Sequence, residues 1–167
     1  MELVLFLDDD VVKSPSLSGV LPAGRNRMER HYEYFVERNV PAMIFDGRIE
    51  EPDGTIVDIT SPAECAEQVL ARIRVDIPAS VLVQIKPHIV LDVQWFDDMD
   101  YGKELLHELY RVMPSGNLGK VLVCSKWADK QMRIYFGDRF EVIKPMVVDK
   151  SSMRPELLWS KIFPQQA

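Results

Sequence analysis

Short apolar runs alternate with helix-like segments along this 167-residue chain, and no other feature narrows its possible folds as much. The runs lie at 3–7, 41–45, 56–60, 88–93, 121–124 and 140–143. Several are continuous and rich in Val, Ile and Leu. Strands covered on both faces look like this, whereas half-solvated strands alternate apolar with polar residues. Helical spacing appears between them, at 27–38, 62–74, 103–113, 127–135 and 154–163. Met28, His31, Tyr32 and Phe35 share one stripe of the first segment. The second opens with Ser61 placed to cap it, Pro62 at its first position and Glu64 at its third. The third carries Leu105, Leu106, Leu109 and Tyr110 and stops at Pro114. Such alternation predicts an α/β fold, a doubly wound parallel sheet with helices on both faces. Two stretches break the rhythm. Residues 14–27 hold Pro15, Gly19, Pro22 and Gly24 and read as a loop. Residues 46–58 hold Glu51-Pro52-Asp53-Gly54, a turn that predicts a hairpin. With no repeat or linker in view, residues 1–167 read as a single domain.

The net charge of -6 and the pI near 5.1 argue against non-specific binding to nucleic acid or to an anionic membrane. No stretch is long enough to span a bilayer, and no leader pattern opens the chain, so the expected location is the cytoplasm. Cys65 and Cys124 stand far apart and fit no metal-ligand spacing. Cys124 lies within an apolar run and reads as a small buried hydrophobe. His31, His88 and His107 show neither triad nor ligand spacing and read as packing or surface residues.

Chemistry concentrates at the ends of the apolar runs. Asp8, Asp9 and Asp10 follow the first run directly. Adjacent carboxylates repel one another and favour solvent, so they mark a strand tip that opens into a polar site. In open α/β sheets the ligand site lies off the C-terminal strand ends, and clustered carboxylates there suit a hard cation such as Mg2+. Asp92 lies near the end of the run at 88–93, Ser125 follows 121–124, and Lys144-Pro145 follows 140–143. Parallel strands would bring all four ends to one edge of the sheet.

In order and along nearly the whole chain, these segments resemble the receiver domain of two-component response regulators. Leu7-Asp8-Asp9-Asp10 is similar to the first-strand acidic motif. His88-Ile89-Val90-Leu91-Asp92-Val93, with Asp98-Met99-Asp100-Tyr101-Gly102-Lys103-Glu104-Leu105-Leu106, resembles the phosphoacceptor strand and the helix after it. Val121-Leu122-Val123-Cys124-Ser125 resembles the strand that ends in a hydroxyl. Ile143-Lys144-Pro145 resembles the Lys-Pro pair, and Glu156-Leu157-Leu158 falls in the last helix. The resemblance implies a flavodoxin-like five-stranded sheet of order 2-1-3-4-5. It implies phosphorylation of Asp92 by a sensor histidine kinase or phosphotransfer protein. Mg2+ would be held by Asp8, Asp9, Asp92 and the backbone carbonyl of Gln94. Ser125 and Lys144 would bind the phosphoryl group, and Phe140 or Glu141 would stand at the switch position. Signalling would then proceed through a downstream protein, with a homodimer through the late helices as one possible arrangement.

The chain departs from the family in several places. The path from Asp9 to Asp92 is longer than usual, which predicts an insertion within 14–27 or 46–58. The loop 94–102 is also longer and lacks the usual proline, with Phe96 near that place. Lys126 stands where the family prefers a small residue. Two other readings compete. In a haloacid-dehalogenase-like phosphohydrolase, Asp8 would be the nucleophile and Asp10 the general acid, with Ser125 and Lys144 as its later motifs. In a degenerate receiver, the fold would serve as an interaction module without phosphorylation.

Overall fold

The computed structural model describes residues 1–9, 27–93, 95–126 and 129–166. The chain begins with β1 (Val4–Leu7), α1 (Arg27–Val36) and β2 (Ala42–Phe45). A small hairpin follows, β3 (Arg48–Glu50) and β4 (Ile56–Asp58), and then α2 (Pro62–Asp76) and α3 (Ala79–Leu82). Next come β5 (His88–Asp92), α4 (Tyr101–Val112) and β6 (Val121–Ser125). The chain closes with α5 (Asp129–Phe136), α6 (Phe140–Ile143), β7 (Met146–Asp149) and α7 (Pro155–Ile162). Five of the strands form one sheet in the order β2-β1-β5-β6-β7, and every neighbouring pair is parallel. Counted within that sheet, the order reads 2-1-3-4-5. No helix among the described residues is long and apolar enough to cross a membrane.

Every residue of β1, β5 and β6 is buried, because both faces of the sheet carry helices. Successive side chains point to opposite faces, and the core divides accordingly. Leu3, Leu5, Leu7, Ile89, Leu91, Val121 and Val123 join the apolar stripes of α2 and α4. Val4, Phe6, Val90, Leu122, Cys124 and Val148 meet Met28 and Phe35 of α1 and Leu158 and Ile162 of α7. Phe6 and Phe35 meet edge to face with centroids 5.3 Å apart. The predicted start of α2 is as observed: Glu64 N–H donates to Ser61 Oγ at 3.3 Å, and Pro62 opens the helix.

Two expectations are corrected. Residues 140–143 are not a strand but the helix α6. Phe140 and Ile143 are buried while Glu141 and Val142 face solvent, so the burial has the period of a helical turn. The strand that completes the sheet comes after Pro145, at Met146–Asp149. The run 56–60 does form a strand, β4, but it pairs antiparallel with β3 outside the main sheet. The hairpin expected within 46–58 is therefore present and closes through Gly54, at a φ of +86°. The loop expected at 14–27 falls almost entirely outside the described residues.

The end of β5 and the start of α4 meet at Gly102. Its N–H donates to the Val93 carbonyl at 3.3 Å, and an added Cβ would lie 2.6 Å from that same oxygen. Backbone cannot yield as a side chain can, so Gly102→Ala should force α4 away from the strand. We expect a loss of about 1–3 kcal/mol. Thermal denaturation would register it as a fall of about 2–4 °C per kcal/mol.

Candidate functional site

The register of the sheet builds a row of carboxylates. Leu7 stands level with Leu91 on one side and with Phe45 on the other. One residue further along, Asp8 therefore lies beside Asp92 and Asp46, on strands about 4.8 Å apart. Asp92 is level with Cys124 on its far side. Asp8 and Asp92 are both buried. Two carboxylates so placed repel each other and lose hydration, so they need a cation or hydrogen-bond donors nearby.

Lys150 supplies the charge. It follows β7 directly, and its Nζ forms an ion pair with Asp92 Oδ2. The Asp92 side chain is 5% exposed and that of Lys150 33%. Burial works against the ammonium charge, but the hydrogen bond and charge of Asp92, with Asp8 behind it, outweigh this and hold Lys150 above the usual lysine value. The Lys150 N–H also donates to the Ser125 carbonyl at 3.2 Å, tying β7 to the end of β6. Ser125 is itself buried at that strand end, one residue past the partner of Asp92.

A loop between β5 and α4 roofs the other side. Trp95 is fully buried and donates its indole N–H to the Asp92 carbonyl at 2.6 Å. Its backbone N–H and C=O both pair with Asp98, at 3.3 and 2.7 Å. The two residues between them, Phe96 and Asp97, have φ values of +50° and +59°. Left-handed backbone costs a non-glycine residue roughly 1–2 kcal/mol. Such strain persists only where surrounding contacts hold it. Here the Phe96 N–H donates to Asp9 Oδ2 at 2.8 Å, and its ring meets Tyr101 edge to face at 5.4 Å. The Arg48 guanidinium lies over that ring at 5.3 Å. Arg48 also donates to the Asp9 carbonyl, and its Nε donates to Asp58 at 2.9 Å. The hairpin thus clasps the tip of β1.

The sequence placed Asp8, Asp9, Asp92 and Ser125 at the C-terminal edge of the sheet, and they are found there. Lys144 is not. It caps α6 with a φ of +47° and precedes β7, so it belongs to the N-terminal end of that strand. This takes Lys144 out of the phosphate-binding role in both the receiver and the phosphohydrolase readings. Phe140 and Glu141, the expected switch positions, sit on α6 rather than on a sheet strand. Arg133 lies over the Phe140 ring at 4.3 Å and pairs with Glu141 at 3.3 Å. Asp10 and Gln94 lie outside the described residues. Of the expected metal ligands, Asp8 and Asp92 share a row, while Asp9 turns one oxygen toward Phe96. Among the described residues, no group of three or more His, Cys, Asp or Glu side chains is gathered to hold a metal ion.

Sequence reasoning missed Lys150. The signal was available: Met146-Val147-Val148 is a short apolar run, and Asp149-Lys150 follow it. His88, Cys65 and Cys124 are buried in the fold. His88 takes the Lys120 N–H at Nδ1, 2.9 Å away, and its Nε2 lies 2.7 Å from Glu2. Burial pushes the Cys65 thiol up to about 12 and raises Cys124 as well, the latter reinforced by Asp92 and Asp8. Neither is a thiolate at neutral pH, which removes them as nucleophiles.

Removing Lys150 should cost the buried Asp92 its ion pair with that ammonium. In urea denaturation at pH 7, Lys150→Met is expected to lose about 1–3 kcal/mol, below the loss for a fully buried pair because the ammonium is partly exposed. Lys144→Met should stay within about 0.5 kcal/mol of wild type. The folded-state pKa of Lys150 is raised, so its stabilising effect is complete below the ordinary lysine value of 10.5 and disappears as pH rises past it. The gap between wild type and Lys150→Met should therefore hold from pH 7 to 9 and close at higher pH. A gap that stays constant to pH 12 would contradict the pairing.

Comparison of the chain with protein-family models, with curated proteins and with solved structures finds no match.

Proposed function

We propose that this chain is a receiver-like phosphoacceptor domain in which Asp92 takes a phosphoryl group and passes a signal on by protein–protein interaction. One observation carries the reading. Asp92 ends the middle strand of a five-stranded parallel sheet of order 2-1-3-4-5, ion-paired with a lysine just past the edge strand, and Asp8 follows the Leu7 that pairs with Leu91. That arrangement supports a flavodoxin-like receiver, with Lys150 in the part that the sequence pattern had assigned to Lys144.

The chemistry would run as follows. A carboxylate oxygen of Asp92 attacks phosphorus, and the bond from phosphorus to the donor's leaving atom breaks. The donor would be a phosphohistidine of a sensor kinase or phosphotransfer protein. Lys150 is already at the carboxylate and would stay with the phosphoryl oxygens as a point charge. Ser125 would offer its hydroxyl as a hydrogen-bond donor. Asp8 and Asp92 form a two-carboxylate donor set, which suits Mg2+ because that ion keeps several waters and takes few protein ligands. Bound there, Mg2+ would offset the negative charge that gathers on the phosphoryl oxygens.

The test is direct. The protein is incubated with acetyl phosphate and Mg2+, and the acyl phosphate is reduced with borohydride and located by mass spectrometry. Label should appear on Asp92 and vanish in Asp92→Asn. In Lys150→Met the rate of labelling should fall by roughly 10²-fold, while Lys144→Met should label normally. Label on Asp8 would instead favour the phosphohydrolase reading. No label, together with no beryllofluoride binding at saturating Mg2+, would sink the proposal and leave a receiver-like scaffold used without phosphorylation.

A further inference from the structure

The hairpin is two-faced. Paired residues of an antiparallel ladder share a face, so Arg48 and Asp58 lie on one side and Ile49 and Val57 on the other. The first side reaches Asp9. The second, continued by Ile59, overhangs α2 and leaves a groove of about 400 Å3 lined by Ile49, Ile59, Ala63, Glu64, Glu67 and Gln68. Val57, the ladder partner of Ile49, is 38% exposed.

Charge says what kind of occupant fits. Two exposed carboxylates, Glu64 and Glu67, line the groove, and Glu51 and Asp53 are exposed at the hairpin turn; Glu50 and Asp58 lie on the other face with Arg48. Arg111 of α4 reaches Glu67 at 3.6 Å. An apolar groove with an acidic rim suits an amphipathic segment that seats aliphatic side chains in the groove and sets lysines or arginines over the rim.

The groove is also wired to Asp92. Trp95 donates to the Asp92 carbonyl and stacks on Tyr101, with rings 5.3 Å apart and 8° from parallel. The Tyr101 hydroxyl donates to the carbonyl of Ile59 in the groove wall, and the Ile59 N–H donates to Gly47 at 2.7 Å. An added Cβ on Gly47 would lie 2.6 Å from the Trp95 ring, so hairpin and loop are in close contact. We infer that the groove between the β3–β4 hairpin and α2 is the docking surface for a basic, amphipathic segment of a partner protein, coupled to Asp92 through Trp95, Tyr101 and Ile59. The coupling rests on the phosphoacceptor reading, and the docking does not.

The probe is an amphipathic leucine–lysine peptide titrated into the full 15N-labelled chain, with a leucine–glutamate peptide beside it. Shifts should cluster at 49, 56–59 and 63–68, and only with the basic peptide. Glu64→Lys combined with Glu67→Lys should weaken binding by about tenfold or more, and Glu37→Lys, in the turn after α1, should not. Shifts mapping elsewhere, equal binding of the acidic peptide, or equal weakening by Glu37→Lys would overturn the docking surface. So would peptide-free shifts at this face that move with protein concentration, which would assign it to a second copy of the chain. For the coupling, beryllofluoride with Mg2+ should change the peptide affinity by about fivefold or more, and Tyr101→Phe should abolish the change. If beryllofluoride binds and the affinity stays constant, the coupling is wrong. If it does not bind at all, the phosphoacceptor reading fails, while the mapping alone still decides the docking.

Discussion

The ion pair between Asp92 and Lys150 is the interaction on which the arrangement of the site depends. A carboxylate at the tip of a middle strand loses most of its hydration, and a second one, Asp8, stands beside it. Attraction to Lys150 offsets that cost, and the geometry of the sheet makes it available. Because all five strands run the same way, a residue just past the end of β7 arrives at the same edge as residues ending β1, β5 and β6. The parallel sheet is thus both the source of the electrostatic problem and the means of solving it.

The same logic explains the strained loop after Asp92. Two consecutive left-handed residues, neither of them glycine, follow the buried Trp95, and the first, Phe96, is held by the Asp9 carboxylate and the Arg48 guanidinium. Each of these contacts also fixes part of the site. Trp95 anchors the backbone of Asp92, Asp9 is oriented by the Phe96 amide, and Arg48 ties in the hairpin. A segment that looks like an insertion therefore becomes a wall of the site, joined through Tyr101 to a groove on the outer surface.

Much of the fold was legible in advance because burial on both faces leaves an unambiguous trace. The apolar runs 3–7, 88–93 and 121–124 became the strands Val4–Leu7, His88–Asp92 and Val121–Ser125, with every strand residue buried. Ser61 and Pro62 announced the start of α2 through local chemistry alone. The last strand is ambiguous. Phe140-Glu141-Val142-Ile143 and Met146-Val147-Val148-Asp149 are both short and apolar, and a run of that length does not separate strand from helix. The first carries burial at a spacing of three and became helix, and the second found the free edge of β6. Because the second is the strand, Lys144 stands at its N-terminal end rather than its C-terminal end.

The sequence by itself therefore determined the α/β class, the parallel core strands, the hairpin and three carboxylates with a serine at one edge. It could do so because periodicity, capping and chain punctuation are local properties. Only the tertiary structure decided which lysine meets Asp92, since that depends on which segment pairs with β6. It alone decided that Arg48 bridges to Asp9 across 39 residues and that Tyr101 reaches Ile59 across 42. Contacts between residues so far apart in the chain leave no periodic trace, and they appear only when the sheet brings its ends together.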